Sequence, residues 1–343
     1  MWHMRTRIIV AASAVVAAAG IGVGAAVITG ASTPVASPRG TPSPTPTPTP
    51  SPTPTRLLSP FTGEPVRKLG PVLAIKIDNI VYARPQTGLI GADIVYVLPV
   101  EGGLTRYLTV FSSRFPPVIG PVRSTRKDDL ELLGQFGRPA FAFSGAQGQL
   151  LPVVERARIV DLYAGKVGGY YRNYSRIAPY NLYASTKTLL AEAKGASKAR
   201  DIGFRFGPAP TGGQVTRSRS VSYPAAKYTF TWSAAKQRWL VTLDGTPART
   251  TAGLRLAPAT VVLQHTVVRK SGYLEYGFPP PYAETMGHGT AVVLRNGKAY
   301  NVTWSRRTFN GGTTYTTTSG QRMTFAPGQV WVVLYGNPAI EAG

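Results

Sequence analysis

The stretch IGPVRSTRKDD, residues 119–129, lies where an apolar run ends at Gly-Pro and a helix is predicted to begin. Thr125 and Asp128 have the spacing of a capping box, and an apolar residue follows at every third or fourth position. The chain is therefore predicted to turn here from a strand into a helix. Such a turn places Arg123 and Arg126 at a helix start, where free backbone N–H groups and the helix dipole favour anions.

Apolar runs rich in β-branched residues predict the strands around this turn. EGG at residues 101–103 separates two of these runs and predicts a hairpin. Two more helices are predicted, at residues 149–157 and 186–198. The predicted N-terminal strands are VLAIKI (72–77), DIVYVLPV (93–100), TRYLTVF (105–111) and PAFAFSG (139–145).

The character of the chain changes near residue 208, after which alternating polar and apolar residues predict strands almost throughout. Asp244-Gly245, Asn296-Gly297 and Gly311-Gly312 are hairpin signals between those strands. The predicted fold class is therefore α+β, with a layered sheet-and-helix N-terminal domain at residues 57–207. A mainly antiparallel β C-terminal domain is predicted to follow at residues 208–343.

Two further segments are predicted before residue 57. Residues 1–31 read as a signal or membrane anchor, because Arg5 and Arg7 precede an apolar run of 23 residues that is long enough to cross a bilayer. The predicted location is the cell membrane, single-pass with extracytoplasmic C-terminal domains, or secreted if the signal is cleaved near Ala31. Residues 32–56 alternate Pro with Ser or Thr and predict a disordered spacer of extended polyproline II character.

The composition limits both the chemistry and the partners. The absence of cysteine among 343 residues excludes disulfides, thiol nucleophiles and thiolate metal sites. From residue 57 onward the chain carries 34 Lys and Arg against 15 Asp and Glu, a net charge of +19. Outside the membrane the anions that such a charge attracts are wall polymers and phospholipid headgroups rather than nucleic acid. The predicted partners are a cell-wall polymer, a glycan or an envelope protein, and the membrane itself through the N-terminal segment.

Polar residues of the N-terminal part concentrate at the ends of predicted strands, where folds commonly place binding groups. One interpretation is a pocket in which arginines hold an anionic ligand and carboxylates orient it. The other is an internal network in which the same groups pair with one another and fix the loops. The candidate residues from these loops are Asp78, Asn79, Arg84, Gln86, Asp93, Glu101, Arg106, Arg123 and Arg126.

A second candidate feature is DLYAGKVGGYYRNYSRIAPYNLY, residues 161–183, which holds six tyrosines with Arg172 and Arg176 among them. Tyrosine combines rigid area, a stacking face and a hydroxyl, which suits the recognition of sugar rings or of a partner protein. The alternative is a long loop whose tyrosines pack against the core and hold the loop in place.

The run IDN…ARPQTGL…ADIVY…EGGLTR…IGPVRSTR, in this order and spacing, resembles the YerB family of bacterial surface lipoproteins. APYNLY at residues 178–183 and PGQVWVVL at residues 327–334 are similar to later landmarks of the family, and the resemblance covers roughly residues 58–336. It implies a two-part α+β fold and no particular activity, because the family is one of unknown function. Its landmarks add three candidate ligand-binding residues, namely Ser144, Tyr180 and Asn181.

The chain departs from the pattern of the YerB family in three places. The lipobox cysteine is absent, so that the N-terminal anchor would replace lipidation. Val97 stands where a polar residue, often Glu, is expected, and Tyr180 stands where His is expected. The loss of a possible acid and of a possible base favours a non-enzymatic role.

The sequence lacks the recognised catalytic and cofactor motifs. Ser144 is without the Gly-x-Ser-x-Gly frame, and neither a phosphate-binding loop nor a dinucleotide fingerprint is present. His265 reads as structural within an apolar strand, whereas His288 has only Glu284 near it, which is too few groups for a metal site. No catalytic residue, metal or cofactor is therefore predicted.

The predicted function is that of an extracytoplasmic, membrane-anchored binding or scaffold protein of the bacterial cell envelope, which recognises an anionic or sugar-containing component. The alternative is a hydrolase or transferase acting on cell-wall glycans or peptides through Asp78, Asp93 or Glu101. A structural partner of another envelope protein is a third hypothesis.

Overall fold

The computed structural model describes Gly30, residues 56–274, Gly277 and residues 279–336. The predicted anchor and spacer therefore lie outside the described residues, apart from Gly30 and Arg56. Up to residue 200 the described chain contains mainly strands, with three short α-helices among them. These elements are β1 (Leu73–Asp78), β2 (Ile94–Pro99), β3 (Thr105–Phe111), β4 (Val118–Ile119), α1 (Lys127–Leu133), β5 (Ala140–Phe143), α2 (Leu151–Arg156), β6 (Val160–Tyr163), β7 (Tyr170–Arg172), β8 (Leu182–Ser185) and α3 (Thr186–Glu192).

After residue 208 the described chain is built from strands, and the predicted hairpin turns at Asp244-Gly245 and Asn296-Gly297 are confirmed. The strands are β9 (Gln214–Val215), β10 (Ser218–Tyr223), β11 (Ala226–Ser233), β12 (Arg238–Leu243), β13 (Thr246–Pro247), β14 (Thr260–His265), β15 (Val268–Lys270), β16 (Pro281–Ala283), β17 (Gly287–Arg295), β18 (Lys298–Arg306), β19 (Thr314–Thr317) and β20 (Val330–Tyr335).

One mixed sheet takes strands from both sides of residue 208. Its order is β19–β18–β17–β14–β20–β2–β3–β1–β5–β6, with β9 on β18. The strand β20 lies between β14 and β2 and runs parallel to both. The fold thus combines strands and helices, as predicted, but it is mostly β. The predicted boundary at residues 207 and 208 divides the chain without dividing this sheet.

The central strands are buried almost throughout and are mainly apolar, because both faces of the sheet are covered and alternate side chains enter two different cores. On one face the sheet packs against α1 and α2, through Leu133 and Val154. On the other face it packs against α3 and the small antiparallel sheet β10–β11–β12–β13, through Leu189, Phe230 and Trp239. Val97 is fully buried in this second core, so burial accounts for its apolar side chain.

The helix after IGPVRSTR begins later than the capping-box spacing predicts. Its N-cap residue is Arg126, and the Asp129 carboxylate accepts the Arg126 backbone N–H at 2.7 Å. Thr125 donates its hydroxyl to the same carboxylate at 3.1 Å. The prediction of Thr125 and Asp128 as the cap is therefore wrong, because the carboxylate that reaches back belongs to Asp129. The chain's own carboxylate occupies the position proposed for an anion at the helix start.

The other two predicted helices are present but short. The helix α2 has Pro152 in its first turn, as expected of a residue that lacks an N–H donor. The helix α3 ends at Glu192 rather than near residue 198, and the hydroxyl of Ser185 accepts the Thr188 N–H at its start. Among the residues described, none of the helices has the length and hydrophobicity needed to cross a bilayer.

Candidate functional site

Residues 121–126 connect the ends of three elements through backbone hydrogen bonds. The N–H of Arg123 donates to Lys76 of β1, the N–H of Val122 donates to Leu182 of β8, and the N–H of Ser144 after β5 donates back to Arg123, at 2.7–3.0 Å. A segment held at so many points has a fixed backbone. The positions of Arg123 and Arg126 are therefore set by the fold.

An open cleft of about 570 Å³ lies beside this segment, at the ends of β1 and β3 and at the turn after β2. We call it the arginine cleft. Its remaining lining is small or apolar, apart from Ser124. The structure brings together here six of the twelve predicted residues, namely Asp78, Glu101, Arg106, Arg123, Arg126 and Tyr180.

The turn at residues 101–103 forms the predicted hairpin between β2 and β3 and carries Glu101 into the cleft. Gly102 and Gly103 both have φ near +70°, a conformation that glycine adopts without strain. A side chain at Gly103 would also meet Pro224 at 2.5 Å, so this turn is packed against the β10–β11 hairpin. The position of Glu101 is therefore fixed from both sides.

Glu101 and Arg126 form a bidentate ion pair. The Arg126 Nε and NH2 groups donate to the two Glu101 oxygens at 2.5 and 3.0 Å. Burial alone would raise the pKa of Glu101, but the hydrogen bonds and charge of Arg126 outweigh it and hold that pKa below its usual value. Glu101 is therefore ionised at neutral pH and is poorly suited to donate a proton.

Arg123 is the most exposed arginine of the cleft, with 25% of its side-chain surface accessible. Its Nε donates to Asp78 Oδ2 at 2.8 Å. Its guanidinium carbon lies 5.7 Å from the centre of the Tyr180 ring, and that ring stacks on Tyr82 at 5.9 Å. The face of the Tyr180 ring thus makes a cation–π contact with the Arg123 guanidinium group.

Arg106 differs from its two neighbours because it is buried without an ion pair among the described residues. Only 8% of its surface is accessible. Its NH1 donates to the backbone oxygen of Ser124 at 3.2 Å, and its buried Nε has no hydrogen-bond partner. Burial, followed by the charges of Arg126 and Arg123, lowers the pKa of Arg106 to about 10 against the opposing effect of Asp78 and Glu101. The cleft therefore holds three guanidinium groups and two carboxylates.

Three further predicted residues lie in a separate network behind β1. The Asn79 amide donates to Tyr228 of β11 and to Thr105, while its oxygen accepts from Gln86 at 2.8 Å. Arg84 donates to the Asn79 backbone oxygen and pairs with Asp244 at 2.5 Å. These side chains join the N-terminal loops to the β10–β13 sheet, which is the structural interpretation of this part of the cluster.

The structure does not bring Asp93 to the cleft. Asp93 is buried before β2 and accepts the backbone N–H groups of Ser112 and Ser113 at 2.6 and 2.9 Å. These serines follow β3, whereas Arg106 lies near its beginning, roughly 20 Å away along the strand. Burial raises the pKa of Asp93, although the hydrogen bonds from Ser113 and Ser112 oppose the shift. Asp93 therefore fixes the turn that follows β3.

A second cleft, of about 540 Å³, shares Arg123 and Ser124 with the arginine cleft. We call it the tyrosine cleft, because Tyr170, Tyr171 and Tyr174 line it. Predicted Ser144 lies here too. Predicted Asn181 is buried behind it and accepts a hydrogen bond from Arg172 at 2.7 Å.

The six tyrosines of residues 161–183 have divided roles. Tyr163 stacks on Phe143, the Tyr170 hydroxyl donates to the Leu162 backbone oxygen, and Tyr183 is buried. The other three, Tyr171, Tyr174 and Tyr180, line one or other cleft without bonding to the core of the described chain through their hydroxyls, whereas Tyr170 lines the tyrosine cleft with its hydroxyl bonded. Half of the tyrosines thus pack against or bond to the core, as the loop interpretation expects, and recognition of a sugar or a protein by the accessible rings stays a prediction.

A buried charge cluster lies beneath the arginine cleft. The Lys76 ammonium of β1 donates to Asp129 Oδ1 at 2.6 Å, and neither side chain has accessible surface. Asp128 is also buried, and neither of its carboxylate oxygens has a hydrogen-bond partner of good geometry in the described chain. The nearby backbone N–H of Ala283 lowers the pKa of Asp128, but its effect is smaller than that of burial. Burial, followed by the charge of Asp129, raises the pKa of Asp128 to about 7.

We expect Asp128 to reduce the free energy of unfolding by on the order of 4 kcal/mol as the pH rises from about 4 to about 8. A carboxyl whose pKa is raised by folding is favoured in its neutral form, so its contribution is complete below the unfolded pKa and is lost as the pH passes about 7. Urea unfolding of the wild type and of Asp128→Asn across this range measures the effect. A difference between the two proteins that is independent of pH would contradict it.

Sequence reasoning missed several residues that build the site. Ser124, which both clefts share, carried no signal beyond its place between two candidate arginines. Lys76 did carry one, because a lysine inside an apolar run such as VLAIKI is either exposed or paired in the interior. Its partner Asp129 and the Arg84 partner Asp244 lie 53 and 160 residues away, distances that local patterns do not bridge.

Two family models match this chain. The N-terminal domain of a protein of unknown function (DUF3048) matches residues 61–200, and the DUF3048 C-terminal domain matches residues 219–332. The chain belongs to the DUF3048 family. The arginine cleft and the tyrosine cleft are both lined by residues of the DUF3048 N-terminal domain.

A DUF3048 relative from Bacillus subtilis (strain 168), named "Putative lipoprotein YerB", is 43% identical over 76 residues, which cover 21% of this chain and 23% of that protein. The alignment thus spans less than a quarter of the relative. The crystal structure of the YerB protein from Bacillus subtilis is similar with a TM-score of 0.71 at 22% identity, over 82% of this chain and 97% of that chain. At this identity the similarity shows the fold alone. The predicted resemblance to the YerB family is confirmed.

Proposed function

We propose that this DUF3048 protein binds an anionic component of the bacterial cell envelope in the arginine cleft. The observation that carries the proposal is Arg106, a buried guanidinium that lines an open cleft and has no carboxylate partner among the described residues. A buried charge normally has a partner of opposite sign. An anionic ligand would supply that partner.

The surrounding pairs suit such a role. Asp78 and Glu101 hold Arg123 and Arg126 in place, whereas Arg106 forms no ion pair with a carboxylate of the described residues. A phosphate or carboxylate entering the cleft would accept charge-assisted hydrogen bonds from donors that are already positioned. Because the cleft is open to solvent on one side, a group attached to a larger molecule can reach it.

The location of the protein forms part of the proposal. The N-terminal sequence has the features of an export signal or anchor, and the Bacillus subtilis relative carries the word lipoprotein in its name. We infer an extracytoplasmic, membrane-anchored protein whose layered N-terminal domain, residues 57–207, carries the ligand site. The basic exported part, with a net charge of +19, would attract anionic polymers before they bind.

The enzymatic alternative has weaker support. Glycoside cleavage requires a carboxylic acid that is protonated near neutral pH, and Arg126 holds the pKa of Glu101 below its usual value. Asp78 is bound to Arg123, and Asp93 lies near the opposite end of β3. The geometry therefore favours binding over acid–base chemistry.

Replacement of Arg106 by Met should weaken the binding of the purified full chain to an isolated cell-wall fraction about 100-fold. This loss corresponds to removal of a charge-assisted hydrogen bond worth about 3 kcal/mol. Cosedimentation over a range of wall concentrations, with the protein in a mild detergent, measures the apparent affinity.

The matched control is Arg307→Met, which removes the same charge from an exposed position after β18. The strand β18 lies five strand positions from β3, roughly 24 Å away. The affinity of the Arg307→Met variant for the wall fraction should stay within about twofold of the wild-type affinity. Equal losses in the two variants would assign the binding to net charge and would remove the arginine cleft from the proposal.

A further inference from the structure

The arginine cleft and the tyrosine cleft meet at Arg123 and Ser124, so one ligand can occupy both. The two spaces have similar size, about 570 and 540 Å³, but different lining. The arginine cleft presents guanidinium groups. The tyrosine cleft presents aromatic rings, and no carboxylate side chain lines it within the described chain.

Two rings of the tyrosine cleft are accessible, and one of them is supported by a neighbouring ring. Tyr171 stacks on buried Tyr183 at 6.0 Å, which supports one side of its ring, yet 47% of its surface is accessible. Tyr174 is 86% accessible. An exposed aromatic ring that is already supported, such as that of Tyr171, binds a ligand with little loss of conformational entropy.

The loop that carries Tyr174 is ordered by its own hydrogen bonds. The Asn173 side chain accepts both the N–H and the hydroxyl of Ser175, and the Asn173 N–H donates to the Asn181 backbone oxygen. Arg176 donates to the backbone oxygens of Ala83 and Pro85 at 3.0 and 2.8 Å. The loop is therefore anchored on both sides of Tyr174.

The polar groups of the tyrosine cleft match the rim of a sugar ring. The hydroxyls of Ser124 and Ser144 are partly exposed, line the cleft, and make no side-chain hydrogen bond in the described part of the protein. Arg172 adds a donor between them and the rings. A pyranose has an apolar C–H face, which packs on an aromatic ring, and hydroxyls at its edge, which need such partners.

We propose that the ligand is a pyranose sugar bearing a phosphate or carboxylate group, with the sugar ring in the tyrosine cleft and the anion in the arginine cleft. The inference rests on the proposed function, because it takes the arginine cleft as the anion site. It adds a second subsite and a chemical class for the ligand. Arg123 and Ser124 lie at the junction, where the bond between sugar and anion would pass.

Titration calorimetry with the purified full chain tests the two subsites separately. Inorganic phosphate and acetate probe the arginine cleft alone, whereas glucose 1-phosphate and glucuronate add a sugar ring to each anion. Stacking on one ring is worth about 2- to 12-fold in affinity, so each sugar anion should bind about tenfold tighter than its simple anion. A purified wall fraction is then added as a competitor. If it displaces glucose 1-phosphate, the natural ligand is part of a wall polymer. If it does not displace glucose 1-phosphate, the natural ligand is a free sugar phosphate.

Variants of the two exposed tyrosines should remove only the sugar contribution. Tyr171→Ala and Tyr174→Ala should bind glucose 1-phosphate about as weakly as inorganic phosphate, with phosphate affinity unchanged, whereas Tyr171→Phe should keep the full affinity. Tyr174 is largely exposed, so its variant should remain folded even if Tyr171→Ala is destabilised.

The outcomes separate the two proposals. Equal affinity of the wild type for phosphate and glucose 1-phosphate, and for acetate and glucuronate, would overturn the sugar subsite and leave the anion cleft in place. Failure of the wild type to bind any of the four anions would overturn both. Capture of an envelope protein that requires Tyr174 and is not displaced by sugar anions would assign the tyrosine cleft to a protein partner and overturn this inference.

Discussion

Replacement of Lys76 by Met should lower the free energy of unfolding by about 3–5 kcal/mol. Lys76 lies in β1, between β3 and β5 of the mixed sheet, and its ammonium is 2.6 Å from the Asp129 carboxylate, with both side chains fully buried. Removal of the lysine leaves Asp129 buried beside Asp128 without its ion-pair partner. Such a loss costs more than the pair contributes, because the remaining charge stays desolvated. Urea unfolding followed by circular dichroism measures the change.

Lys166→Met is the matched control for this prediction. Lys166 pairs with Asp161 at 3.0 Å, but 62% of its side chain is accessible to solvent. Exposed ion pairs of this kind contribute less than about 1 kcal/mol. If Lys76→Met were no more destabilising than Lys166→Met, the buried pair would contribute little to the fold.

The same ion pair connects the core with the arginine cleft. While one Asp129 oxygen accepts Lys76, the other accepts the Arg126 backbone N–H and the Thr125 hydroxyl. The start of α1 is thus fixed by a charge in β1. This link explains how a seven-residue helix, which is too short to be stable alone, can hold a buried arginine in one orientation.

Local sequence patterns predicted the individual elements well, because buried strands are rich in apolar residues and such runs are visible in the sequence. The runs that form β1, β2 and β3 are buried at every position, since both faces of the sheet are covered, and most of their residues are apolar. The turn at Glu101 could also be predicted from the sequence, because two successive glycines permit its positive φ values. The helix cap was misplaced because Asp128 and Asp129 are adjacent, and only their environment decides which one reaches back.

Long-range placement could not be read in the same way. Nothing in PGQVWVVL shows that β20 lies between β14 and β2. A strand that is buried on both faces has the same apolar sequence pattern at any interior position of a sheet. For the same reason the sequence placed Asp93 with the arginines. Both ends of β3 have polar neighbours, and only the antiparallel pairing of β2 with β3 shows which residues share an end. The cluster around Asp78, Glu101 and Arg126 was predicted correctly because the hairpin turn brings those ends together.

The sequence left open whether the arginines hold an external anion or the protein's own carboxylates, and the structure divides them between these roles. Arg123 and Arg126 bind Asp78 and Glu101, as the network interpretation requires. Arg106 is buried between them and has no carboxylate partner in the described chain. A buried polar group without a partner calls for an explanation, and strained or unsatisfied positions concentrate at functional sites.

The two buried arginines should therefore respond to the same substitution with opposite signs. Arg126→Met should lower the free energy of unfolding by about 3 kcal/mol, because it leaves Glu101 partly buried without its bidentate partner. Arg106→Met should raise it by on the order of 1–2 kcal/mol. Folding buries the Arg106 guanidinium without a carboxylate partner among the described residues, a desolvation that also lowers its pKa to about 10, and the loss of one hydrogen bond to Ser124 offsets only part of the gain.

Parallel urea titrations of the two variants and the wild type decide the assignment. A more stable Arg106→Met protein that has also lost its anion affinity would mean that the chain keeps an unfavourable charge for the sake of its ligand, which is the expected trade-off at a binding site. A structural arginine gives the reverse pattern, because its removal costs stability whether or not a ligand is present. If Arg106→Met were destabilised by as much as Arg126→Met, all three arginines would belong to the internal network, and the anion site would have to be sought outside the cleft.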